Sequence, residues 1–141
     1  MARHSTLIPR VGTVVLAAAA ATLGWAVAVH GLGVHLEVGA KSATAIQIGA
    51  GNVAGASFVA GLAAWALLAF LERRGSRAAR NWTIIAFCAF AVSLLGPADG
   101  LTYSAKVSLL CLHTLVAAII ILGLRRTAAP TVEGRSSAIA A

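Results

Sequence analysis

The side chains able to do chemistry are few in this chain, and several of them gather in its last third. Asp99 follows Gly96-Pro97, and beyond it Tyr103, Lys106, Leu110, His113 and Ala117 recur at steps of 3, 4, 3 and 4. Such steps place Tyr103, Lys106 and His113 on one face of a helix. A lysine and an imidazole on one face, with a carboxylate just before it, are the parts of an acid–base site. Asp99 or His113 would move the proton and Lys106 would stabilise developing negative charge. The same face can equally serve binding alone, His113 acting as a ligand donor or proton carrier. A plainer reading stands beside both: His113 as a neutral ring hydrogen-bonded across helices to Asn52, Ser57, Ser93 or a backbone carbonyl, and Asp99 as a helix cap or turn residue.

Other constellations fall short. His30, His35 and Glu37 are spaced by five and two residues in a glycine-rich loop, which matches no firm zinc or copper pattern. Neither a metal nor a cofactor is expected. A haem held by His30 and His113 would need both at one depth, and they are separated by about half a bilayer. Cys88 and Cys111 are not in a CxxC, and lie ~9 and ~20 Å from the same end of their helices, too far apart for a disulfide. They read as small packing residues. Nucleophile-elbow, HExxH, P-loop and dinucleotide motifs are all missing. The acids Glu37, Glu72, Asp99 and Glu133 lie at span ends or outside, which counts against simple proton antiport.

What must position these residues is a membrane domain. Of 141 residues, 60% are hydrophobic and only 11% charged, outside the range of soluble domains. Charge-poor windows long enough for a ~30 Å hydrocarbon core occur at about 11–30, 43–71, 82–98 and 104–124. The expected fold is all-α, a four-transmembrane-helix bundle over residues 1–126, with a disordered tail at 127–141. The net charge of +7 is segregated. Arginines fall at 3 and 10, at 73, 74, 77 and 80, and at 125, 126 and 135, whereas Lys41 and Lys106 lie in or beside the alternate loops. This positive-inside pattern predicts cytoplasmic N and C termini. It explains the basicity without nucleic acid, for which no basic face interleaved with aromatics exists. Residues 1–31 have the layout of a signal peptide, with Ala26-Val27-Ala28 as a cleavage site. The apolar run is long for that purpose, and retaining it yields four spans.

Within the spans, Trp25 and Trp82 are expected at the membrane interface. The charge-free run from Ser42 to Leu71 would make ~45 Å of helix, so its first turns must tilt, unwind or project outward. Gly51 and Gly55 form a GxxxG and Gly61 follows, glycines of the kind that usually mark a helix contact. That contact would be within the chain, with a second copy or with a partner membrane protein.

The segment "GPADGLTYSAKVSLLCLHTLVAAIIILGLRR" resembles the closing signature of a family of small bacterial four-span membrane proteins of unknown function. Gly96, Pro97, His113 and Arg126 carry the resemblance, and Leu112 stands where that family often has Met. The resemblance implies a four-helix fold in the bacterial cytoplasmic (inner) membrane and adds weight to His113, but it implies no activity. The expected site is a polar pocket open to the outer face between the second and fourth helices. Gln47, Asn52, Tyr103, Lys106 and His113 would line it, with Asp99 and the first outer loop as a lid. Such a pocket suits a lipophilic small molecule or membrane lipid, in a binding, accessory or assembly protein. The alternative is a small isomerase- or cyclase-like membrane enzyme using His113, Asp99 and Lys106.

Overall fold

A computed structural model describes residues 4–38, 46–75, 77–99 and 102–128, with the side chains of residues 4, 5, 38, 98 and 99 outside the description. The tail beyond Ala128, Lys41 and the carboxylate of Asp99 therefore lie outside the described residues. Four helices carry the fold: α1 (His4–Ala26), α2 (Ala50–Arg74), α3 (Ala78–Ser93) and α4 (Tyr103–Thr127). Between α1 and α2 lie two short antiparallel strands, β1 (Glu37–Val38) and β2 (Ile46–Gln47), with Glu37 opposite Gln47 and Val38 opposite Ile46.

Ala- and Leu-rich composition favours helix throughout, and the helix ends follow local chemistry. α1 starts earlier than its apolar window, running through Pro9 and Arg10. It closes through a π-turn at Val27–Gly31, where the Leu32 amide donates to the Val27 carbonyl at 3.0 Å. Gly33 follows with φ +66°, a left-handed conformation that favours glycine. The long second window does unwind. Its beginning supplies β2 instead of a first helical turn, so α2 starts only at Ala50. The Thr102 hydroxyl caps α4 by accepting from the Ala105 amide at 3.2 Å. Arg73 and Arg74 end α2, and Arg125 and Arg126 lie in the last turn of α4, where cations meet the negative helix terminus.

Three segments, Thr6–Gly31, Ala50–Arg74 and Tyr103–Thr127, are long and apolar enough to cross a membrane, while α3 is a shorter apolar helix of 16 residues. α3 ends at Ser93, short of the expected residue 98, because Gly96–Asp99 winds into a 3₁₀ turn. The outward faces keep large apolar side chains such as Leu16, Leu23, Val59, Phe87 and Leu122 exposed, the surface of a helix bundle that apolar solvent can cover.

α1 packs along both α2 and α4, and α3 closes the far side against those two helices. Close approach is made by glycines other than those the GxxxG suggests. A β-carbon on Gly61 of α2 would sit 3.0 Å from Val14 Cγ1 of α1, and one on Gly24 of α1 would sit 2.6 Å from Leu112 Cδ2 of α4. Gly123 of α4 similarly faces Thr13 of α1. Gly51 and Gly55 face open space, so among the described residues they mark no helix contact. They lie in the first turns of α2.

Two apolar clusters result. Ala17, Leu68, Trp82, Ile120, Ile121 and Leu124 form one near the start of α1; Ala28, Leu36, Ala105, Leu109 and Leu112 form the other under the hairpin. At the first end, Arg10 is buried and joins three helices. Its guanidinium donates to both carboxylate oxygens of Glu72 at 2.6 and 3.1 Å, and to the hydroxyl and carbonyl oxygens of Thr127, each at 3.1 Å. In the sequence Arg10 stands as a loop charge before the first span. Instead, a bidentate carboxylate and two further acceptors satisfy the guanidinium inside the bundle.

Candidate functional site

Because α3 is pinned to the bundle chiefly at one end, a cavity opens along it. Ala78 and Trp82, in its first turns, are buried; from Phe87 to Ser93 most positions are exposed. Trp82 is fully buried, and its Nε1–H donates to the Ala64 carbonyl of α2 at 3.0 Å. The indole is thus a strut between α2 and α3, not an interfacial anchor, since its one polar group finds a partner inside. Beyond this strut α2, α3 and α4 enclose about 630 Å³, within the usual range for small-molecule sites. The lining is alanine, leucine, isoleucine and valine with Phe90, and only Asn52, Ser57, Ser93 and His113 add polar groups beside the Trp82 indole.

The Arg10 clasp sets the heights of these groups, because it holds Glu72 of α2 level with Thr127 of α4. Ser57 precedes Glu72 by 15 residues and His113 precedes Thr127 by 14, so at ~1.5 Å per residue they stand ~22 and ~21 Å above the clasp. By the same count Ala64, level with Trp82, stands at ~12 Å and Asn52 at ~30 Å. The cavity therefore has an apolar lower part, a polar pair at mid-height and Asn52 and Ser93 near its upper rim.

His113 is half-buried, and its Nδ1 lies 3.0 Å from the Leu109 carbonyl one turn earlier. A carbonyl oxygen only accepts, so Nδ1 carries the hydrogen. In the neutral ring Nε2 is then an acceptor, and it has no protein partner among the described residues. The sequence points to a bond across helices; the one Nδ1 makes is instead to a carbonyl of its own helix.

The expected site residues are dispersed. Asn52 and His113 share the cavity. Gln47 sits in β2 and lines a separate space of about 210 Å³ with Trp25, His35 and Leu36. Trp25 Nε1 donates to the Ile48 carbonyl at 2.8 Å and its ring meets His30 edge-on at 5.5 Å, fastening the hairpin to α1. Tyr103 and Lys106 are exposed and line neither space. The reason is that the buried stripe of α4 drifts around the helix, from Ala105, Leu109 and Leu112 to Ile120, Ile121 and Leu124. A row in steps of three and four is therefore lateral at Tyr103 and reaches the cavity only at His113 and Ala117. Cys88 and Cys111 are free and exposed rather than packed inside. No metal-holding cluster of His, Cys, Asp or Glu occurs among the described residues. In the sequence Ser57 stands out only as a partner for His113, though it is the sole hydroxyl between Gly51 and Leu71.

No curated protein and no solved structure matches the chain. Residues 1–130 match a family model almost end to end, and the helical, apolar architecture is that of a small membrane protein. The chain belongs to the family of unknown function DUF6069.

Proposed function

We propose that this protein spans the bacterial cytoplasmic membrane four times, with both termini inside, and holds a lipophilic small molecule between α2, α3 and α4. The observation that carries the reading is the cavity itself: about 630 Å³, almost wholly apolar, with few polar groups gathered from mid-height upward. That composition suits a molecule with a hydrocarbon body and a small polar end. The weaker closure of α3 beyond Trp82 offers an entry from the bilayer. The segregated arginines support the orientation. At 16 residues α3 makes ~24 Å of helix, and the Leu94-Leu95 turn with the 3₁₀ segment lengthens its path. An acid–base enzyme needs two titratable groups converging on one cavity. Here His113 is the only one lining it among the described residues, so binding is the better supported role.

The test is native mass spectrometry of protein extracted gently from its host membrane, wild type beside Ala117→Phe, which fills the cavity between His113 and Ile120. A defined lipophile retained by the wild type and lost from the folded variant is the expected result. Equal retention by both, or none by either, rejects the reading.

A further inference from the structure

We infer that the cavity selects a lipophile bearing a hydroxyl group, which Ser57 and His113 grip from opposite walls. This rests on the binding role proposed above and names the chemistry of its ligand. Ser57 is 7% exposed, lines the cavity and has no hydrogen-bond partner among the described residues. That is unusual for a hydroxyl on an apolar helix, which ordinarily donates to the carbonyl one turn back. Thr13, Thr22, Thr83 and Thr114 all do so, each at 2.8 Å. Ser93 donates to the Phe90 carbonyl at 2.7 Å. Ser57 keeps its hydrogen free, and its hydroxyl oxygen is open to the cavity, since no buried side-chain oxygen or nitrogen among the described residues lacks a partner.

On the facing helix and at the same height above the Arg10 clasp, Nε2 of His113 presents a lone pair with its hydrogen-bearing partner Nδ1 already committed to Leu109. One wall therefore offers a donor and the other an acceptor. An alcohol or phenol oxygen between them satisfies both, accepting from Ser57 Oγ–H and donating to His113 Nε2. An ether or ketone accepts from Ser57 but leaves Nε2 unmatched, and a carboxylate sets a negative oxygen against that lone pair. Below the pair, ~10 Å of apolar wall runs down to the level of Trp82, room for the hydrocarbon body.

The experiment measures equilibrium binding of dodecanol and its methyl ether to the full chain in lipid nanodiscs, for wild type, Ser57→Ala, His113→Phe and the cavity-filled Ala117→Phe. The expected result is dodecanol binding about fivefold to tenfold tighter than the ether. Each polar substitution should shrink that ratio towards one while ether binding persists, which shows that the variants fold with their cavity open. Equal binding of both probes by the wild type overturns the hydroxyl inference and leaves the cavity reading standing, provided Ala117→Phe blocks both. Binding of neither probe, or binding insensitive to Ala117→Phe, overturns both.

Discussion

At the residue scale, the most consequential side chain is the one whose role the sequence concealed. Arg10 reads as a topology charge, yet it is the knot that joins α1, α2 and α4 through Glu72 and Thr127. Removing one partner of a buried ion pair leaves the other charge in a poor solvent, at a cost of about 3–5 kcal/mol. Arg10→Ala should therefore lower the thermal midpoint in detergent far more than Arg73→Ala, whose side chain is exposed. Arg10→Met combined with Glu72→Leu should recover part of the loss; a double variant worse than the single one would show that the pair is not the source. Trp82→Phe removes the Nε1 donor to Ala64 and should cost about 1 kcal/mol. It should also loosen the closed end of the cavity, read as faster hydrogen exchange at the start of α3. Unchanged exchange there would reject the strut role. His113 was legible as a mid-helix polar group, but its bond to Leu109 depends on a rotamer, which residue spacing does not specify.

Glycine usage decides much at the scale of helices. Gly123 abuts Thr13, whose branched side chain is held by its bond to the Pro9 carbonyl. Gly51 and Gly55 abut nothing among the described residues. Gly123→Ala should thus destabilise the α1–α4 contact by about 1–3 kcal/mol through overpacking. Gly51→Ala and Gly55→Ala should be neutral or stabilising by up to about 1 kcal/mol each from helix propensity. Thermal denaturation of the three variants checks this. A marked loss at Gly55 would locate a contact made by a second copy or another protein on that face. From sequence, Gly51, Gly55 and Gly61 alike read as contact glycines, and of the three only Gly61 meets another helix among the described residues. Helix rotation chooses between them, and rotation is a property of packing against neighbours. The unwinding at the start of α2 was foreseeable, since ~45 Å of uncharged helix exceeds a ~30 Å core. That it would become a strand paired with Glu37–Val38 was not, because pairing needs the loop's closure.

For the whole molecule, the proposed orientation makes a direct forecast. In a background with Cys88→Ser and Cys111→Ser, a cysteine at Leu32 should react with a membrane-impermeant maleimide on intact cells, and one at Arg77 only after permeabilisation. The reverse pattern would reject cytoplasmic termini. Composition by itself determined that this chain is helical and built for an apolar solvent, because long charge-free runs leave the backbone no partner but itself. The spacing of arginines and the approximate helix windows were likewise readable, being sums over many residues that tolerate error in any one. The cavity, and which polar groups share it, was decided only by tertiary structure. Tyr103, Lys106 and His113 are neighbours in helical spacing, yet the drift of the buried stripe along α4 turns the first two outward. Ser57 and His113, 56 positions apart in the chain, face one space because the Arg10 clasp aligns α2 with α4 and the Trp82 strut holds α3 aside.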